Sequence, residues 1–125
     1  MGGATLYQLY PLSWQGGANR AEKAYSSDEI ISHQQETWVR ALEWCESRGI
    51  PTAVNPKDLD GSQSWGAFQF KVETFKTLSE KYQIKGDLFD YRTQLAIVGK
   101  MILDKSIDLK HQFPGCVKKL GLPPK

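Results

Sequence analysis

Between Trp44 and Phe70 the chain reads WCESRGIPTAVNPKDLDGSQSWGAFQF and gathers most of its chemistry-bearing residues. Glu46 stands alone at the end of an apolar stretch, Asp58 and Asp60 follow in DLDG, and Ser64, Gly66, Gln69 and Phe70 close the run. A carboxyl kept protonated near neutral pH can deliver a proton to a glycosidic oxygen as an oxocarbenium-like state develops. Two influences predict such a carboxyl at Glu46. It falls at a helix C-terminus, where the macrodipole disfavours negative charge, and Leu42 and Trp44 lie within a turn of it. Composition alone favours a plainer reading, a solvated glutamate beside Arg48, because surface glutamates are common.

Asp58 and Asp60 are the second carboxylates a divided acid and base would need. Read as a calcium loop with its turn glycine at Gly61, the same segment puts Pro56 at the first ligand position and Ala67 at the twelfth, where a glutamate is required. That register fails, and Asp60 stays as the secondary catalytic candidate beside the reading of a solvated turn. Gly66 permits close approach of a ligand to the backbone, Phe70 and its aromatic neighbours offer faces to sugar rings, and Gln69 supplies a donor and an acceptor. His33 and His111 are isolated in sequence and read as surface or packing residues. No metal triad, phosphate loop or nucleophile elbow is present in the sequence, so no metal or cofactor is expected.

The elements that must hold these residues follow from periodicity. Ser26 with Glu29 three residues on forms a capping-box signature, with Asp28 favourable in the first turn. Ile30, Ile31, Trp38, Leu42 and Cys45 then recur at helical spacing until Gly49 and Pro51, with a break near Ser32-His33 left open. Residues 51–64 carry turn signals at Asn55-Pro56 and Asp60-Gly61 and read as a loop with a short hairpin. Thr74 to Tyr82 predicts a helix with Phe75, Leu78 and Tyr82 on one face, and a short helix is expected from Val117 to Leu120. Asp90 to Lys105 is apolar on most sides, which predicts a central, buried helix. Residues 1–25, punctuated by glycines and Pro11, read as an irregular arm outside a single domain at 26–125.

The 125 residues suffice for one compact domain, and 40% hydrophobic with 24% charged residues excludes disordered and fibrous classes. No apolar run approaches the roughly 20 residues that span a bilayer. A net charge of +2 without a basic stripe is too mild to predict nucleic-acid binding; it would suit an anionic polymer such as a cell wall, but an unremarkable surface is the favoured reading. Cys45 and Cys116 either pair or leave Cys45 as a buried thiol; pairing would stabilise the fold by roughly 4 kcal/mol on the chain-entropy account. The N-terminal MGGATLYQLYPLSW lacks a basic leader and an apolar core, so the expectation is a removed signal or another route out of the host cell.

Glu46-Ser47 at a helix end, followed about twenty residues later by Gly66-Ala67-Phe68-Gln69, resembles the Glu-Ser and Gly-Leu-Met-Gln motifs of the lysozyme-like superfamily, namely soluble lytic transglycosylases and goose-type lysozymes. The AVNPKDLDGSQSWG segment is similar to the Asn-rich, Asp-Gly loop of bacterial and phage members. The resemblance covers about Trp38 to Leu103. It implies a mainly α, α+β lysozyme-like fold, with a helical domain around a buried central helix and a loop or small hairpin lining a glycan cleft. It also implies cleavage of the MurNAc-GlcNAc β-1,4 bond of peptidoglycan by a secreted, periplasmic or virion-associated monomer. Glu46 takes the place of the catalytic acid, and Ser47 that of the residue supporting it. Gly66 and Gln69 match the second motif, where Ala67 and Phe68 replace Leu and Met. Tyr91 and Gln94, in the loosely matching YRTQ, stand at the third motif. With Ser64 and Phe70, these residues make up the expected substrate-binding set. Asp60 lies where goose-type lysozymes carry an aspartate that can activate water, whereas Lys71 stands where some carry a further carboxylate. The balance leans to the transglycosylase outcome. The alternative is a wall-binding or virion structural module that has kept the cleft without turnover.

Overall fold

The computed structural model describes residues 31–56 and 61–125, and the expected N-terminal arm, the Ser26 capping box, Asp58 and Asp60 lie outside that set. The described chain is mainly helical. Helix α1 is His33–Ser47, β1 is Val54–Asn55, β2 is Ser64–Trp65, α2 is Val72–Tyr82, α3 is Tyr91–Leu103, α4 is Leu109–Gln112 and α5 is Pro114–Leu120.

Helix α1 begins where Ser32, in an extended conformation, accepts the Gln35 amide N–H, while the Gln35 side chain accepts the N–H of Ser32. This reciprocal box satisfies two orphan donors of the first turn. A helix running without interruption from Ser26 is thereby excluded: the chain is extended at Ser32. Trp38, Val39 and Leu42 form the buried stripe of α1, and the helix ends at Arg48 in the left-handed region, whose N–H donates to Trp44 O at 3.0 Å.

The expected central helix is α3. Thr93 to Gly99 and Met101 are all buried, and Asp90 caps the start by accepting the Arg92 N–H. Phe75 and Leu78 of α2 and Phe113, Cys116 and Val117 around α4 and α5 complete the core. The C-terminal tail is strapped across α1, where Trp38 Nε1 donates to Gly121 O at 2.9 Å and Gln35 Nε2 to Pro124 O at 3.0 Å. Among the described residues no helix is long and apolar enough to cross a membrane.

The loop after α1 forms a small antiparallel ladder, with Val54 opposite Trp65 and Asn55 opposite Ser64. Its second strand turns back on itself: Trp65 and Phe70 exchange N–H···O bonds of 2.9 and 3.0 Å. The Gly66–Gln69 segment is the tight turn so enclosed.

Candidate functional site

Three segments meet at a cleft of about 390 Å³: the last turn of α1 through Glu46, the end of the tight turn through Gln69, Phe70 and Lys71, and the α4–α5 junction from His111 to Cys116. The convergence has a covalent cause. Cys45 and Cys116 form a disulfide with Cα atoms 5.9 Å apart, joining α1 to α5 across 71 residues of sequence. Glu46 follows Cys45 directly, so the bridge fixes the backbone from which its carboxyl projects, and Glu46 is half-buried there.

The environment expected for Glu46 is only partly present. Leu42 is fully buried beneath it, but Trp44 is 59% exposed, with the Arg48 guanidinium 5.2 Å from its ring centroid. Residues two apart on a helix point to different sides, so Trp44 cannot shield Glu46. Ser47 is buried and donates its hydroxyl to Glu43 O at 3.3 Å, a bond back into its own helix rather than to the acid.

The tight turn is held from inside. Gln94 on α3 is 1% exposed, accepts the Phe68 N–H through Oε1 at 2.9 Å and donates through Nε2 to Trp65 O at 2.9 Å and Leu88 O at 2.6 Å. A side chain so engaged clamps backbone, and it offers no surface to a substrate. Gly66 is explained by the same clamp. Its φ is +85°, and a Cβ there would lie 2.8 Å from Gln94 Cδ, so the group that approaches closely is Gln94 and not a ligand. Ser64 is likewise fully buried. Phe70 is 3% exposed and packs edge-on against Phe75 and Phe113 at centroid distances of 6.2 and 6.0 Å, which makes it a core aromatic rather than an open sugar platform. Tyr91 is half-buried, with its hydroxyl donating to Glu43 Oε1 at 3.0 Å.

Gln69 keeps a place in the cleft. It adopts φ +55°, an uncommon conformation for a residue with a Cβ, and its Nε2 donates to Gly66 O at 2.9 Å and Ala53 O at 3.3 Å. With the nitrogen committed, Oε1 is the group left to meet a ligand among the described residues. Lys71, Thr74 and His111 also line the cleft. His111 reads as isolated in the sequence, yet it stands five residues before Cys116. Pairing Cys116 with Cys45 would have placed it near Glu46.

Glu43 is the other carboxyl on this part of α1, one turn before Glu46. Burial raises its pKa, while the Tyr91 hydrogen bond and Arg40 act in the opposite direction. Among the described residues, no group of three or more His, Cys, Asp or Glu side chains is placed to hold a metal ion. No family model, no curated protein and no solved structure matches the chain.

Proposed function

We propose that the protein cleaves the β-1,4 bond between N-acetylmuramic acid and N-acetylglucosamine in peptidoglycan, on a lysozyme-like fold, with Glu46 as the acid and then the base. The observation that carries this reading is the meeting of Glu46 and Gln69 in one cleft although 23 positions separate them in sequence. The disulfide beside Glu46 supports an oxidising, extracytoplasmic setting.

Protonated Glu46 donates to the glycosidic oxygen as the C1–O bond breaks and positive charge develops on the muramyl ring. The resulting carboxylate then takes the proton of the sugar's own 6-hydroxyl. That oxygen bonds to C1, giving an anhydro end without consuming water. Glu46 borders the cleft, and the one-carboxylate route asks for no further acid or base than this side chain. Gln69 Oε1 is suited to accept from a sugar hydroxyl or acetamido N–H beside the scissile bond.

Wild-type protein and Glu46→Gln on purified peptidoglycan test the reading. The amide cannot donate an acidic proton, so turnover should fall by about a hundredfold or more. Equal turnover by both proteins would remove Glu46 from the mechanism. Retention on the wall without products would point to a binding or structural module.

A further inference from the structure

Tyr91 is the first residue of α3 and touches two other segments at once. Its hydroxyl donates to Glu43 Oε1 on α1 at 3.0 Å, and its ring stacks on that of Phe68 with centroids 6.3 Å apart and planes inclined by 18°. Three residues further along α3, Gln94 holds the Phe68 N–H. The tight turn is therefore gripped twice by α3, and α3 is gripped by α1 one helical turn before Glu46.

We propose that Glu43 and Tyr91 are positioning residues: together they set the Gly66–Gln69 turn against the helix end that carries Glu46, and the strength of this link follows the protonation of Glu43. The link to turnover rests on Glu46 being the acid; the mechanical coupling does not.

An ionised Glu43 accepts a charge-assisted O–H···O bond from Tyr91, about twice as strong as the neutral bond left after protonation. Among the described residues, the charged and titratable groups that act on the pair are Arg40 and Glu36 on α1 and Tyr91 itself from α3. Arg40 is engaged with Glu36 through an N···O contact of 2.9 Å. Burial, followed by the charge of Glu43, pushes the Tyr91 phenol well above its ordinary value, so Tyr91 keeps its proton and Glu43 is the member that switches. Protonation loosens the bond to Tyr91, and the stacked Phe68 passes the adjustment to Gln69 beside it.

Carbon-detected titration of the Glu43 carboxyl, with the Phe68 and Gln69 amide resonances followed in the same samples, reads the coupling without turnover. In wild type the two amides should move with the Glu43 midpoint, and in Tyr91→Phe and Glu43→Gln that component should vanish. On peptidoglycan, Tyr91→Phe should lower kcat by about tenfold with KM little changed, the pattern of a misplaced rather than a missing catalytic group. Glu43→Gln, which keeps a neutral acceptor, should recover part of what Glu43→Ala loses. Amides that ignore the Glu43 titration, or a Tyr91→Phe variant with wild-type kcat, would overturn the proposal. Wild-type protein without activity would sink the role of Glu46, while the amide titration would still decide the coupling.

Discussion

Glu46 and Glu43 occupy successive turns of one helix, yet their surroundings assign them different work. Glu46 borders the cleft, whereas Glu43 is tied to Tyr91. A third carboxyl, Asp104, has a structural part. It accepts from Lys81 Nζ at 2.8 Å, Tyr82 Oη at 2.7 Å and Ser106 Oγ at 2.7 Å, linking α2 to the end of α3. Lys81 above all, and then Ser106 and Tyr82, hold its carboxyl well below the usual carboxylate range. Its stabilising effect is therefore complete above the ordinary aspartate pKa and is lost as pH falls through the depressed folded value. Asp104→Asn should cost on the order of 1–2 kcal/mol at neutral pH, allowing for the solvent around Lys81. Denaturant unfolding at several pH values should show the gap closing in acid; a gap independent of pH would contradict this.

At this scale the sequence revealed residue types and missed partners. Glu46 and Gln69 were singled out by a local spacing and both border the cleft, whereas Gly66, singled out with them, makes room for Gln94. The bond from Phe68 to Gln94 spans 26 positions and that from Tyr91 to Glu43 spans 48, and nothing in a single sequence marks such pairs. Ser64 and Gln94 were consequently read as facing a ligand when they are buried, and Phe70, at the border of the cleft, packs into the core.

Among the elements, α3 was the most legible, because a helix apolar on nearly all sides has few places to go but the centre. Helix α1 was legible through its stripe, and it starts at His33 behind the Ser32 and Gln35 box, at the break the sequence left open, while the Ser26 capping signature lies outside the described residues. Helix α2 starts at Val72, two residues earlier than its periodicity indicates, and Lys71 makes no side-chain cap that sequence could have flagged. The tight turn is the element on which the cleft most depends. Gly66→Ala would push a methyl group into Gln94 at a backbone angle that favours glycine, and should destabilise the protein by roughly 1–3 kcal/mol. Thermal unfolding of this variant checks the claim, and an unchanged midpoint would show that the clamp yields without strain.

In the whole molecule, the disulfide and the tail strap hold α5 and the segment after it against one face of α1, where Gln35, Trp38 and Cys45 recur at helical spacing. The Cys45–Cys116 bridge closes a long loop, and its removal should cost roughly 4 kcal/mol on the chain-entropy account. Reduction should lower the unfolding midpoint and, because Glu46 adjoins Cys45, should also weaken turnover below that midpoint. Reduced protein with full activity and unchanged stability would contradict the role given to the bridge.

Glu46 is proposed to act alone on the glycan, first as acid and then as base. Mass spectrometry of the muropeptides released by wild type and by Glu46→Gln tests it most directly. Wild-type products should end in anhydro-muramic acid, one water lighter than hydrolysis products, with almost none from Glu46→Gln. Hydrated products, or the same products from both proteins, would contradict it.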